Sequence, residues 1–197
     1  MKTTAITLAL MLAATSCGIG PNSGDLTTVN TTPAPFNAIH ILGACELSFK
    51  QADTTSVTIE CTDKLLPLVS ADVPEGSNTL TIQYTENVSV HKDDIKVTVT
   101  SPTLNKLQVD GAAAIEIDDL KTGTFECKIN GAAAISIKSI CCDSLAATIN
   151  GAGSIKLSGT NTGHSEFTIM GTGVINAQKF SSASVGKTIS GIGIVRL

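Results

Sequence analysis

Residues 107–197 predict an all-β fold, a parallel β-helix or β-solenoid with rungs of about twenty residues. Three observations carry this. Glycines recur at Gly111, Gly131, Gly151, Gly171 and Gly191, each twenty residues from the last. Read at that spacing, apolar residues fall into columns. One is Val109, Ile129, Ile149, Ile169 and Ile189; a second is Ile115, Ile135, Ile155, Ile175 and Val195; a third is Ile117, Ile137, Leu157, Ala177 and Leu197. Within a unit, apolar and polar residues alternate, as in Ile135-Ser136-Ile137-Lys138, which is the period of a strand with one face inward. The columns are β-branched rather than Leu and Ala, so stacked strands are expected and not stacked helices.

The chain opens with an address. Met1-Lys2 is a short basic start, and residues 5–14 are an apolar run of ten, too short to span a membrane as a mature helix. Thr15-Ser16-Cys17 follows. Residues 1–16 read as a secretory signal, to be set apart from the fold. The cysteine after small residues resembles the lipobox of bacterial lipoproteins, with Ala14 where Leu is commonest. The resemblance implies cleavage before Cys17 and a lipid on Cys17, which would join the chain to the membrane; an ordinary cleaved signal with a free Cys17 is the alternative. Gly18 is not an acidic retention residue, so an outer-membrane address is expected, on either the cell surface or the periplasmic face. Residues 17–35 are mostly Gly, Ser, Thr and Pro, and read as a flexible tether.

Residues 36–197 form the expected domain, about 160 residues around one continuous core. Residues 36–106 are its N-terminal strands and cap, and residues 107–197 its five regular rungs. Residues 36–49 already carry the rung pattern, with Ile41, Gly43 and Leu47 in place, and read as a first, divergent rung. Two alternating stretches, 46–50 and 56–60, flank a turn-like 51–55. Folded as a hairpin about Asp53, they set Phe49 against Val57, Leu47 against Ile59 and Cys45 against Cys61. Opposed residues lie close enough for a disulfide; two buried thiols side by side are the alternative. Residues 63–69 suggest one helical turn, 74–78 a turn, and 79–85 and 94–100 strands. This portion is expected to close one end of the stack.

In the repeat, the alternation continues through each glycine and the residue two after it. The glycines therefore read as positions at an inside corner, where only Gly or Ala fits. A phosphate cradle is the competing reading; it needs a following helix, and β-branched residues follow instead. Asn130 and Asn150, in a column with Asp110 and Ser190, suggest an asparagine ladder capping backbone groups at a corner rather than a metal stack. Further inward columns are Leu120, Ile140 and Phe180, and Phe125, Leu145 and Val185. Cys127 falls inward with Leu107, Ala147 and Phe167.

The order of these parts resembles the GIN domain, the head domain of autotransporter adhesins. The residues that carry the likeness are Phe36-x-Ala38-Ile39, the first rung about Gly43, Lys64-Leu65-Leu66-Pro67, Val97-Thr98-Val99-Thr100-Ser101-Pro102 and the serial Ile-x-Gly-x-Gly-x-Ile rungs. Ala113 and Ala133 depart from the usual second Gly, and the cysteines depart as well. The likeness covers roughly residues 36–197. It implies a β-solenoid exported to the envelope, commonly as a lipoprotein, and it supplies no catalytic residues.

Composition narrows the function. Without Lys2 the charge is 12 basic against 17 acidic residues, or −5, which excludes a dominant nucleic-acid role. Trp is absent and Tyr84 is the sole tyrosine, which weighs against stacking platforms for sugars. Besides Cys17 the cysteines are Cys45, Cys61, Cys127, Cys141 and Cys142; no Cys-x-x-Cys pair or nearby His cluster suggests zinc. No cofactor is expected. A polysaccharide-acting β-helix enzyme would need paired carboxylates on an outer face. Asp93-Asp94 and Asp118-Asp119 are the candidates, with His40, His91 and His164, and both pairs read better as solvated turns. The expected function is a non-enzymatic envelope lipoprotein that binds an unidentified partner or supports adhesion. A periplasmic sensor or scaffold is the runner-up. The last rung, residues 189–197, is an edge open to self-association.

Overall fold

Columns of like β-branched side chains stack best on parallel strands in register, and the chain builds these over residues 106–197. The computed structural model describes residues 24–84 and 94–197. The expected signal segment, Cys17, His91 and Asp93 lie outside the described residues. Strands β8 (Lys106–Val109) and β9 (Ala112–Lys121) form the first regular rung, and β10 (Thr124–Ile129) opens the second. Three long bent strands, β11 (Ala132–Ile149), β12 (Ala152–Ile169) and β13 (Thr172–Ile189), each end one rung and begin the next. Strand β14 (Ile192–Arg196) completes the last. Pairing is parallel throughout, with Ile135 between Ile115 and Ile155, and Ile149 between Ile129 and Ile169. Before the last rung the inward columns are buried, and Ile149, Ile155, Phe167 and Ile169 are all 0% exposed.

The divergent first rung is present. Strand β2 (Ala38–Ile41) pairs with β8 and β3 (Ala44–Gln51) with β9, so Ile41 meets Val109 and Leu47 meets Ile115. A later part of the chain lies on its other side, where β6 (Thr79–Tyr84) pairs with β2 and β7 (Lys96–Ser101) with β3. Antiparallel strands close that end. Strand β5 (Val69–Asp72) covers β6, β4 (Ser56–Thr62) covers β7, and β1 (Leu26–Thr31) covers β4. One 3-10 turn, Leu66–Leu68, stands where a helical turn is expected.

Three expectations need correction. Residues 26–31, read as tether, are strand β1; a polar edge strand half-buried on β4 lacks the alternation that marks a strand in sequence. The hairpin about Asp53 is not a paired hairpin, because β7 enters between its arms. Phe49 and Val57 both oppose Val99, and Leu47 and Ile59 both oppose Val97. Cys45 and Cys61 therefore flank Ile95 from either side, two strand spacings or roughly 10 Å apart. That exceeds the reach of a disulfide. Both are free, buried thiols, pushed up by burial to about 12 and about 11.

The column of Leu120, Ile140 and Phe180 is present, and a bulge in β12 sets Gly159 between Ile140 and Phe180. Gly159 has φ +127°, which only glycine adopts readily. The third correction concerns the corner glycines and is described with the site.

Candidate functional site

Each corner glycine is needed for close approach along the stack rather than for space inside a bend. A Cβ on Gly131 would lie 2.0 Å from the carbonyl oxygen of Gly111, and one on Gly151 2.0 Å from that of Gly131. Gly111, Gly171 and Gly191 face the glycine one rung earlier in the same way. The column starts at Gly43, where a Cβ would enter the ring of Tyr84. The Tyr84 hydroxyl donates to the Ala44 carbonyl, and burial raises its pKa. The glycines hold the rungs in register at a turn.

Beside them runs the asparagine ladder, with side chains bonding one another rather than capping the backbone. Asn150 Nδ2 donates to Asn130 Oδ1 (2.8 Å), and Asn130 Nδ2 donates to Asp110 Oδ1. The other oxygen, Asp110 Oδ2, accepts from His40 Nε2 and from Gln108 Nε2 (2.9 Å). Partial burial raises the Asp110 pKa; the bonds from Asn130, His40 and Gln108 outweigh this and leave it below the usual value. The ladder stops at Met170, and Asn150 Oδ1 is a buried acceptor without a partner. Met170→Asn should supply that donor and stabilise the domain by about 1 kcal/mol. A melting temperature that stays level or falls in calorimetry would refute the ladder's direction.

The outward face of the wall formed by β7, β3, β9 and the first halves of β11 and β12 carries a trough of about 550 Å³. Small residues, Ala114, Ala134 and Ser154, make its floor, each standing outward just before a buried isoleucine. Glu46, Lys96, Glu116 and Lys156 reach in from the sides. Lys96 Nζ lies 3.9 Å from Glu46, and Lys138 Nζ lies 2.5 Å from Glu116 and 2.8 Å from Asp118. Hydrogen bonds to Asp118 and Glu116 raise the Lys138 pKa, so it stays a cation. No lining residue is aromatic. The surface offers both signs of charge around a small-residue floor.

A family model described as "Putative auto-transporter adhesin, head GIN domain" matches residues 35–197. The chain belongs to the GIN domain family. Solved structures share its fold. A "putative adhesin" from Bacteroides fragilis is 21% identical, with TM-score 0.67, over 89% of this chain and 98% of that one. A "putative adhesin" from Parabacteroides distasonis is 20% identical, with TM-score 0.65, over 88% and 82%. A "putative lipid binding protein" from the same species is 15% identical, with TM-score 0.57, over 89% and 97%. No curated protein matches the chain. The family and these neighbours are described as adhesins or as a binding protein, not as enzymes.

This GIN domain does not gather the sequence's other candidates into one place. His40 belongs to the ladder anchor. His164 stands four rungs away, in the strand whose Thr168 shares His40's outward column. His164 Nδ1 lies 2.8 Å from Ser184 Oγ, and His164 Nε2 lies 3.4 Å from Glu166. The order of atoms is that of a nucleophile relay. His164 and Glu166 are 56% and 42% exposed on an open face, so this relay lies in water. Asp118 is held by Lys138, while Asp119 is exposed beside it. Cys127 is buried as expected, and burial pushes it to about 12. Cys141 is exposed and Cys142 buried. The trough itself escaped sequence reading. Its signal is the run of outward small residues at the twenty-residue spacing, Ala114, Ala134 and Ser154.

Proposed function

We propose that the chain is an exported, non-enzymatic lipoprotein of the cell envelope whose solenoid face binds a partner in adhesion. The observation that carries the reading is the trough, a recess spanning five strands with carboxylates and ammonium groups at its sides. Its chemistry suits an extended polypeptide bearing both charges better than a sugar ring, which would call for an aromatic platform. The family's description as an adhesin head supports the same role. Residues 1–17 supply the proposed signal and the lipid on Cys17. No helix among the described residues is long and apolar enough to cross a membrane.

The test is protease shaving of intact cells carrying a tagged chain, together with adherence of cells bearing Ala134→Arg. Exposure to protease is expected. So is at least a tenfold loss of adherence, which corresponds to about 1.4 kcal/mol, while stability changes by no more than about 0.5 kcal/mol. Protection until the outer membrane is opened would replace adhesion with a periplasmic scaffold or sensor role. Full adherence by a surface-exposed Ala134→Arg chain would remove the trough from the binding face.

A further inference from the structure

The two ends of the stack differ. Among the described residues, the free edges at the capped end are β1 and β5; at the other end they are residues 177–189 of β13, and β14. The second pair has the composition of a covered strand. Val185 and Ile189 are 38% and 46% exposed, although their counterparts Leu145 and Ile149 are buried. Apart from Arg196 at its end, strand β14 is apolar on both faces, with Ile192 (80% exposed) and Ile194 (51%) outward and Val195 inward. The same outward columns hold Ala132 and Ala134 in the regular rungs. A strand apolar on both faces is the pattern of one buried on both faces, and a flat apolar edge is a pairing site.

Charge selects the partner. Residues 167–197 contain Lys179, Lys187 and Arg196 and no carboxylate side chain. All three are exposed. The capped end, residues 24–34 and 52–78, carries Asp25, Asp53, Glu60, Asp63, Asp72 and Glu75 against Lys64 alone. Strand direction agrees as well. Strand β1 is antiparallel to β4, and β4 to β7, so β1 runs with its wall, which is also the wall of β14. Strand β5 lies in the other wall, that of residues 184–189.

We propose that the terminal rung seats on the capped end of a second copy, with β14 beside β1 in parallel and the end of β13 beside β5 in antiparallel. Copies then stack head to tail along one axis. Tail-to-tail pairing would set three cations against three cations and is disfavoured by charge. A head-to-tail contact along the axis does not close on itself, so it builds an open series rather than a dimer. This inference stands apart from the trough and from the side of the membrane the protein faces.

The purified protein should show, in sedimentation, species beyond the dimer that grow with concentration and shrink as salt screens the ends. Lys187→Glu with Arg196→Glu should leave monomers only, as should Ile192→Lys, which alters a side chain that is 80% exposed. Mixing the double variant with a chain carrying Asp25→Lys and Asp72→Lys should restore association, because its acidic rung then meets a basic cap. A wild-type protein that stays monomeric at every concentration overturns the proposal. So does one that stops at a dimer insensitive to the charge variants. Co-sedimentation with anionic lipid vesicles without self-assembly would assign the rung to a lipid surface and overturn it too.

Discussion

Gly151→Val should destabilise the domain by about 3 kcal/mol or prevent folding, the upper end of the cost of overpacking. The added Cβ would stand 2.0 Å from the Gly131 carbonyl oxygen and 2.6 Å from that of Asn130. Both obstacles are backbone, and the first is held by a bond between rungs: Ala152 N–H donates to Gly131 O at 3.0 Å. Neither can swing aside as a side chain would. Two rungs would have to part along the axis, breaking the parallel ladder on both sides of the corner. Gly123 is the control. A Cβ there meets nothing nearer than Asp143 Oδ2 at 3.9 Å, so Gly123→Ala should be neutral or stabilising by about 0.5 kcal/mol. Denaturant melts of the two variants decide the matter. Equal stabilities would mean that the carbonyl contact along the stack is not what requires glycine.

Ile149→Asp is expected to abolish the cooperative unfolding transition. Ile149 is 0% exposed and lies between Ile129 and Ile169 in a column without a polar group. An unpaired carboxylate there either loses its hydration or takes up a proton, and each course costs several kcal/mol. A domain of this size has only about 5–15 kcal/mol in all. Ile149→Ala gives the graded measure, a loss of about 2–5 kcal/mol from transfer and cavity. Ser144→Asp, at an exposed position on the same wall, should change stability by no more than about 0.5 kcal/mol. A well-folded Ile149→Asp chain with near-native melting would overturn the inward column.

The repeat was legible because one spacing reports two things together: which residues face inward, and which rung each meets next. Ile115, Ile135 and Ile155 do both. The cap was legible only in part. Alternation showed correctly that Leu47, Phe49, Val57 and Ile59 share the inward face. It could not show that β7, some forty residues on, would separate the two arms, since period two identifies a face and not a neighbour. Strand β1 was hidden for a related reason. Leu26-Thr27-Thr28-Val29-Asn30-Thr31 rests on β4 with no core of its own, so its composition matches that of a linker. The twenty-residue spacing identifies the glycine positions and not their cause, because spacing along a chain carries no information about the direction of a missing Cβ. The trough depends on side chains that are small, and small residues leave little trace unless read in columns.

The interleaving of β6 and β7 beneath the first rung bears on how the protein assembles. Regular rungs join residues twenty apart, such as Ile135 and Ile155, each onto a strand already in place. The first rung must unite Phe49 with Val99, fifty apart, and Leu47 with Ile115, sixty-eight apart. The wider closures cost roughly 1 kcal/mol more in chain entropy than a twenty-residue loop, and no preformed template offsets that cost. These widest closures are therefore expected to limit the folding rate, while each regular coil adds to a neighbour only twenty residues away. Core substitutions at Leu47 or Val97 then act mainly on the folding rate, and those in β13 on the unfolding rate. A chain emerging amino-terminus first completes its slowest closure while the later coils are still arriving, and has only short, fast steps left when the last of them appears.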